Sequence, residues 1–213
     1  MSDNEEITLS EHALKALQEF YHEQEELKIS QTVCKEHLLA EDWELSQFWY
    51  DDSTASTLAE AAIKGAGKNG RIACISSPTV YEYLQRIKSD VDNYYLFEYD
   101  KRFQTKFADN FVFYDYNHPL KIDDKFKSYF DVVLVDPPYL SEECLEKTAE
   151  TVKFIGKDKI ILCTGAVMEE YAEKFLNLKK CNFLPQHERK LGNEFRCFAN
   201  WNFDEQVNLI SKT

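Results

Sequence analysis

Residues 130–139 read FDVVLVDPPY, a short apolar run that ends at an acidic residue and two prolines. Such a run, rich in β-branched residues and bounded by turn-forming residues, is typical of a strand that is buried on both faces. The prolines lack the backbone N–H that a ladder of strands requires, so the strand must end near Asp136. Ser141 then stands where an N-cap is expected, and helical periodicity runs to about Phe154. The stretch therefore predicts a strand, a rigid turn and a helix.

Similar apolar runs occur on both sides of this unit and alternate with amphipathic segments. The other predicted strands are Arg71–Ile75, Tyr94–Phe97, Phe111–Tyr114 and Lys159–Cys163. The other predicted helices are one capped by Ser53 that runs to Ile63, one capped by Ser77 from Pro78 to about Lys88, and one over roughly 167–177. This alternation of buried strands and helices indicates a parallel sheet that is covered on both faces.

Two more strands are predicted near the end of the chain, at 181–185 and 194–200. A polar loop joins them without a helix, so we expect them to form an antiparallel hairpin. The whole pattern predicts an α/β fold with a seven-stranded, mostly parallel sheet.

Residues 1–42 lack the alternation of strand and helix patterns found in the rest of the chain. Thr8 and Glu11 fit a capping box, and apolar residues recur at helical spacing over 8–28 before an acidic run. Residues 29–42 carry little periodicity and are expected to form a loop. We therefore expect an N-terminal helix and loop at 1–42, which packs on the main body or reaches toward a partner, and one α/β domain at 43–213.

The composition restricts the possible partners. The chain has 213 residues with 25 Lys and Arg against 38 Asp and Glu, a net charge of -13. A protein that binds nucleic acid without the help of a partner usually has a basic surface. We therefore expect no stable binding to nucleic acid, and a partner that is basic or neutral. The candidate basic stretch is thin and is interpreted as solvated loop charge. It consists of Lys179, Lys180, His187, Arg189 and Lys190.

The location can also be predicted from composition. No window approaches about 18 continuous apolar residues, and the acidic N-terminus lacks an apolar signal core, so we expect neither a membrane span nor secretion. The six cysteines form no CxxC pair and do not cluster with His at metal-ligand spacing. We interpret them as reduced core thiols of a cytoplasmic protein that binds no metal.

Polar residues follow four predicted strands at the edge where an open parallel sheet binds its ligands. Glu98 closes the second strand, the usual place for an acid that holds ribose hydroxyls, and Asp100 is a second choice. The first strand ends in Ser76-Ser77-Pro78 instead of a glycine-rich loop, which disfavours a pyrophosphate. A nucleoside ligand without a pyrophosphate, such as S-adenosylmethionine, fits this pattern better.

Asp136-Pro137-Pro138-Tyr139 is the strongest local signal in the chain. The prolines keep their carbonyl acceptors, the aspartate adds carboxylate oxygens, and the tyrosine offers a flat ring. Such a cluster can accept hydrogen bonds from an amine nucleophile, align it and take up a proton. The alternative is a rigid turn without chemistry.

Longer stretches carry a family resemblance. They are WELSQFWY at 43–50, FEYDKRF at 97–103, FYDYN at 113–117, DPPYLSEEC at 136–144 and NEFRC at 193–197. The tetrapeptide at 136–139 matches the signature of S-adenosylmethionine-dependent amino-methyltransferases. The longer stretches resemble the eukaryotic translation elongation factor 1-alpha lysine methyltransferase family, whose members were earlier described as adenine-specific DNA methyltransferases because of this tetrapeptide. The resemblance extends from about Leu9 to Asn200.

The resemblance implies a Rossmann-like class I methyltransferase fold with S-adenosylmethionine as methyl donor and no metal. It implies that Asp136, Pro137, Pro138 and Tyr139 orient the target amine. The implied cofactor-binding residues are Glu98 at the ribose, Asp115 and Tyr116 near the adenine, Phe48 and Trp49 over the methionine end, and Ser76 and Ser77 in the first loop. Simple core packing is the alternative for the segment Gln47–Tyr50, and the loop serines have no defined role.

Three functions remain open on these grounds. The first is lysine methylation of elongation factor 1-alpha by a monomeric enzyme, with the target lysine, the degree of methylation and the identity of the base undefined. The second is methylation of an adenine amino group in DNA or RNA, which needs the same local geometry but also basic and stacking residues. The third is a non-catalytic binding module, which the intact tetrapeptide disfavours.

Overall fold

The structure is a computed structural model that describes residues 39–91 and 93–210. The predicted helix at 8–28, its capping box of Thr8 and Glu11, and most of the predicted loop at 29–42 lie outside the described residues. The predicted N-terminal part at 1–42 therefore stays a prediction.

Seven strands form one sheet in the order β3-β2-β1-β4-β5-β7-β6. The strands are β1 (Arg71–Ile75), β2 (Asn93–Glu98), β3 (Phe111–Phe113), β4 (Phe130–Val135), β5 (Gly156–Gly165), β6 (Lys179–Lys180) and β7 (Phe195–Ala199). The first five pair in parallel, and β7 runs antiparallel to both β5 and β6. The predicted seven-stranded, mostly parallel sheet with a terminal antiparallel hairpin is confirmed.

Six α-helices accompany these strands within the described residues. They are α1 (Asp52–Ala66), α2 (Pro78–Arg86), α3 (Arg102–Phe107), α4 (Glu142–Ile155), α5 (Glu169–Leu176) and α6 (Phe203–Ile210). The predicted N-cap of α4 is confirmed, because the Ser141 hydroxyl accepts a hydrogen bond from the Cys144 N–H at 3.3 Å. Helices α3 and α6 were not among the predicted elements.

The register of the central strands brings their carboxyl ends together. Ile75 at the end of β1 lies between Phe97 of β2 and Val135 of β4. The backbone N–H of Asp136 extends the ladder by one step, since it donates to the carbonyl of Ile75 at 3.0 Å. Ser76, Glu98 and Asp136 therefore leave the sheet as neighbours at one edge.

The predicted start of α1 is wrong by two residues. Ser53 lies inside the first turn, and Asp51 is the N-cap, with its carboxylate accepting from the Thr54 N–H at 2.7 Å. Gly67 closes the helix at a φ of +73°, in the left-handed region that favours glycine. Pro78 occupies the first position of α2 as predicted, although the Ser77 side chain makes no capping bond.

The predicted strand at 181–185 is also wrong. The carboxylate of Asp204 instead accepts hydrogen bonds from the backbone N–H groups of Asn182 and Phe183, which takes these groups away from strand pairing. The hairpin partner is the shorter β6, whose two residues pair with the end of β7.

The core lies on both faces of β1 and β4, whose side chains are almost all fully buried. Five described cysteines are buried free thiols, as predicted, namely Cys74, Cys144, Cys163, Cys181 and Cys197. Within the described residues, no cluster of His, Cys, Asp or Glu is suited to a metal ion. Among the same residues, no helix is long and apolar enough for a membrane span.

Candidate active site

A cavity of about 600 Å³ opens beyond the carboxyl ends of β1, β2, β3 and β4. Its position is the one expected for a ligand site of an open parallel sheet. All of the predicted site residues line it, namely Phe48, Trp49, Ser76, Ser77, Glu98, Asp115, Tyr116, Asp136, Pro137, Pro138 and Tyr139. The geometry therefore gathers these side chains in one place, while their individual roles stay predictions.

Asp136 lies just beyond the end of β4. Its Oδ2 atom accepts a hydrogen bond from the Tyr50 hydroxyl at 2.6 Å. Desolvation raises the pKa of Asp136 to about 7, with a further increase from the Glu98 carboxyl, while the bond from Tyr50 lowers the pKa. A carboxyl group with such a pKa can both hold and release a proton near neutral pH.

Glu98 is the buried acid at the end of β2, with only 6% of its surface exposed. Its Oε1 atom accepts from the backbone N–H groups of Tyr99 at 2.8 Å and Asp100 at 3.0 Å. Both bonds fall on the same oxygen, so Oε2 is the atom left to bind a ligand hydroxyl. Burial raises the pKa of Glu98 to about 7 despite these two bonds.

The carboxylate oxygens of Asp100 are less available to a ligand than Oε2 of Glu98. Its carboxylate accepts from the Arg102 guanidinium at 2.7–3.0 Å and from the Gln47 amide at 3.0 Å. Burial works against the charged form, but these bonds hold the pKa of Asp100 below its ordinary value. Asp100 therefore has less capacity than Glu98 to accept hydrogen bonds from a ligand, and the ribose-binding role of Glu98 stays a prediction.

The first loop replaces glycine with serine. Ser76 adopts a φ of +51° in the left-handed region, and its N–H donates to the carbonyl of Phe97 at 2.9 Å. The Oγ atom of Ser77 is buried without a well-formed hydrogen bond among the described residues, although the Cys74 thiol lies nearby. A buried polar atom on a cavity wall is suited to a polar group of a ligand.

Asp115 and Tyr116 follow β3 and also line the cavity. The carboxylate of Asp115 accepts from the Asn117 N–H at 2.9 Å and lies 3.1 Å from the His118 ring nitrogen. Although partial burial acts in the other direction, these contacts lower the pKa of Asp115. The Tyr116 ring packs edge-to-face against the ring of Tyr139, with centroids 5.8 Å apart.

The segment 45–50 also lines the cavity. Trp49 is anchored by its indole N–H, which donates to the carbonyl of Leu39 at 2.9 Å, and by an edge contact with the ring of Phe103. It is 5% exposed, so core packing accounts for most of its surface. Phe48 is less buried and lines the cavity beside it.

Tyr50 belongs to the segment Gln47–Tyr50, which was expected near the methionine end of the cofactor, but its contact with Asp136 was not predicted. His187 was predicted only as part of the solvated basic stretch and not as a residue of the site. The rings of Tyr50 and His187 lie with centroids 4.8 Å apart, and the His187 ring also contacts Phe195. Burial lowers the pKa of His187 to about 4, so this ring is neutral at pH 7. No local pattern links Tyr50 to Asp136, which is 86 positions away in the chain.

The charged side chains in the described lining of the cavity are all acidic. Three carboxyl side chains line the cavity, those of Glu98, Asp115 and Asp136, and the described lining residues include no Lys or Arg. The predicted solvated charge of the basic stretch agrees with Lys180 and Arg189, which pair with Glu169 and Glu41. The prediction is wrong for His187, which lines the cavity and is neutral at pH 7, and Lys179–Lys180 form β6 and not a loop. Such a lining is suited to a cation and unsuited to a phosphate chain.

The raised pKa values of Glu98 and Asp136 predict how stability depends on pH. Both carboxyl groups bind a proton more tightly in the folded chain than in the unfolded chain. Their contribution to stability is full below about pH 4 and is lost as the pH rises through about 7. Asp100, Asp115 and Asp131, with lowered pKa values, act in the opposite direction at more acidic pH.

Urea unfolding at pH 5 and pH 8 measures this effect. We expect the free energy of unfolding to fall by on the order of 5 kcal/mol between the two conditions, since both groups contribute. A variant that carries both Glu98→Gln and Asp136→Asn should lose most of that decrease. An equal decrease in the variant and the natural chain would show that the two carboxyl groups have ordinary pKa values.

Comparison with known proteins gives a consistent group of relatives. A family model described as probable N6-adenine methyltransferase matches residues 41–203. EEF1A lysine methyltransferase 1 of Gallus gallus is 52% identical over 206 residues, which are 93% of this chain and 96% of that protein. Protein-lysine N-methyltransferase EFM5 of Saccharomyces cerevisiae is 39% identical and covers 91% of this chain and 92% of its own length.

A solved structure supports the fold alone. A Pyrococcus horikoshii protein proposed to be an RNA methyltransferase superimposes with a TM-score of 0.51 at 16% identity. The match covers 83% of this chain and 94% of that one. A class I methyltransferase architecture, as the sequence resemblance implied, is confirmed by this similarity together with the sheet order.

Proposed function

Since this chain belongs to the EEF1A lysine methyltransferase 1 family, we propose that it transfers a methyl group from S-adenosylmethionine to a lysine of translation elongation factor 1-alpha. The relatives that support this reaction are similar to the chain over nearly its whole length and over nearly theirs. The chain is accordingly a protein-lysine N-methyltransferase.

One observation supports the proposal more than any other. The Asp136-Pro137-Pro138-Tyr139 corner lies in a cavity whose charged side chains, among the described residues, are all carboxyl groups. A lysine ammonium group and the sulfonium of the methyl donor are both cations. The same lining would therefore attract both partners of the reaction.

The residues present fit S-adenosylmethionine. Glu98 has a free carboxylate oxygen for the ribose hydroxyls, and the buried Oγ of Ser77 has no well-formed hydrogen bond among the described residues. The first turn of α2 lacks a side-chain cap, and Pro78 and Thr79 at its start line the cavity. This end of the helix would accept the carboxylate of the methionine moiety. When bound, the cofactor supplies a methyl group already activated by its positive sulfur.

The chain must then supply alignment and take up a proton. The carbonyl oxygens of the two prolines and the carboxylate of Asp136 would accept hydrogen bonds from the lysine nitrogen. A free lysine has a pKa near 10.4, and burial in the cavity favours its neutral form. Asp136, whose pKa is about 7, would hold the incoming ammonium and accept its proton first, which frees the lone pair of the lysine nitrogen. The neutral nitrogen would then form the new N–C bond as the bond between the methyl group and the donor sulfur breaks.

Tyr139 has a separate part in this mechanism. Its side chain is 41% exposed at the mouth, with its ring against Tyr116. An aromatic face beside the nitrogen desolvates the amine and attracts the partly methylated cation by a cation–π contact. These contacts offset the tendency of Asp136 to keep the lysine charged.

Methylation of adenine is the second candidate, because the matching family model carries that description. The corner at 136–139 could also accept hydrogen bonds from an adenine amino group. The described cavity lining offers no Lys or Arg to neutralise phosphates, which disfavours this reaction.

Transfer of tritiated methyl groups into a cell lysate separates the two reactions. We expect the label to enter a protein of the size of the elongation factor, to be removed by protease and to survive nuclease. An enzyme with Asp136→Ala serves as the inactive control. Label that is removed by nuclease and absent from protein would overturn the lysine proposal.

Two finer properties follow from this proposal. The elongation factor works in the cytoplasm, so we place the enzyme there, consistent with the free thiols of its core. We also propose that the catalytic unit is a monomer.

A further inference from the structure

A buried hydrogen bond joins two distant parts of the chain inside the active site. The hydroxyl of Tyr50 donates to Oδ2 of Asp136 at 2.6 Å, and Tyr50 is only 2% exposed. A bond between a neutral donor and a carboxylate at this distance is a short, strong one. Tyr50 has no part in the mechanism described so far.

The local sequence explains why Asp136 needs a distant donor. An aspartate in a turn usually accepts hydrogen bonds from the backbone N–H groups that follow it. Pro137 and Pro138 have no N–H, so the two residues after Asp136 cannot act in this way. Tyr50 supplies the donor that the prolines remove.

Backbone hydrogen bonds on both sides of Tyr50 fix the position of this residue. Tyr50 and His187 form an antiparallel bridge, with bonds from Asp51 N–H to Gln186 carbonyl at 3.0 Å and from Glu188 N–H to Trp49 carbonyl at 2.9 Å. The His187 ring covers the ring of Tyr50. The hydroxyl is therefore held in place before any substrate arrives.

Other titratable groups face this pair from every side. Glu98 at the end of β2 acts on Asp136, Cys163 of β5 faces the Tyr50 hydroxyl, and His187 from the connection before β7 lies on the ring. His187 is neutral at pH 7, and burial with the nearby Asp136 raises the pKa of Tyr50 well above its usual value. Tyr50 thus remains a donor throughout the working range of pH.

We infer that Tyr50 is a positioning residue for methyl transfer, whose hydroxyl fixes Oδ2 of Asp136 and leaves Oδ1 as the oxygen that meets the target amine. The inference rests on the proposed function, since it assigns Tyr50 a role in that reaction. The bond also stabilises the charged carboxylate, so its loss should leave Asp136 protonated over a wider range of pH.

The test compares Tyr50→Phe with the natural enzyme by measuring kcat/KM for the protein substrate from pH 6 to pH 9. The same substrate lysine titrates in both reactions, so the ratio of the two profiles cancels its contribution. We expect the ratio of variant to natural enzyme to rise about tenfold from pH 6 to pH 9, as expected for an upward shift of about one unit in the pKa of Asp136.

Tyr81→Phe is a matched control. Tyr81 is fully buried, receives a hydrogen bond from Gln85 and does not line the cavity. Its variant should lose stability but give a ratio that does not change with pH. Incorporation of 3-fluorotyrosine at position 50, a stronger donor, should move the ratio in the direction opposite to that of Tyr50→Phe.

The outcomes separate the inference from the proposed function. An active natural enzyme with a ratio for Tyr50→Phe that is flat across pH would overturn the role of Tyr50 alone. A natural enzyme that methylates no protein would overturn the proposed function and this inference with it.

Discussion

Replacing Asp136 with alanine is expected to lower the rate of methyl transfer on the order of 10³-fold. The carboxylate is the only negatively charged group of the corner at 136–139, and it supplies both the acceptor for the ammonium and the site for the released proton. The cofactor contacts proposed for Glu98 and Ser77 do not involve Asp136, so the affinity for S-adenosylmethionine should change little. Calorimetry and a methyl-transfer assay on the same preparation measure the two quantities.

Asp131→Ala is the matched control for this substitution. Asp131 lies at the other end of β4, where it pairs with Arg71 and Lys157 outside the cavity. Its variant should keep full activity. Asp136→Asn adds information, since it keeps a carbonyl acceptor and removes the charge. Unchanged turnover in Asp136→Ala would remove this residue from the mechanism.

Replacing Glu98 with glutamine is expected to weaken the binding of S-adenosylmethionine by roughly 30-fold at pH 8. The carboxylate would accept hydrogen bonds from the ribose hydroxyls, and a bond to a charged acceptor is stronger than one to an amide. Methyl transfer at saturating cofactor should recover, because the corner at 136–139 is intact.

The raised pKa of Glu98 predicts that the binding of the cofactor depends on pH. Burial raises the pKa of Glu98 to about 7, so the group becomes protonated in the free enzyme as the pH falls below 7. The affinity of the natural enzyme should therefore decrease from pH 8 to pH 6, while that of Glu98→Gln should change much less. Glu82→Gln, which alters a buried carboxylate outside the cavity, should retain the natural dependence. A natural enzyme with a constant affinity over this range would contradict the role of Glu98.

The sheet could be predicted from sequence because its central strands are buried on both faces. The bounds of β1 and β4 agree with the predicted Arg71–Ile75 and Phe130–Val135, since continuous apolar runs and turn residues mark both ends. The short helices were harder to predict. Helix α3 has only six residues, and its signal is the pair Phe103 and Phe107, which face the core one turn apart.

Errors arose where a side chain from elsewhere decides the local structure. The segment after β6 reads as a strand, yet Asp204, 22 positions further along, binds its backbone. The error at the start of α1 has a local cause instead, since Asp51 and Ser53 are both N-cap residue types and the prediction chose Ser53.

The site, like the fold, has residues that the sequence predicted and contacts that it did not. Residues at strand ends were predicted because the topology of a parallel sheet places them together. The bond from Tyr50 to Asp136 and the place of His187 in the site were not predicted, since the segment that carries Tyr50 meets the connection before β7 only in the folded chain. Their aromatic character is equally consistent with core packing, so their residue types carried no signal of a role beside Asp136.

A crystal structure with S-adenosylhomocysteine bound would show whether the donor and the residues at 136–139 share one cavity. We expect the ribose hydroxyls within about 3 Å of the Glu98 carboxylate and the sulfur directed at the space between Asp136 and Tyr139. A ligand seated at the opposite edge of the sheet, or one whose sulfur points away from Asp136, would contradict it.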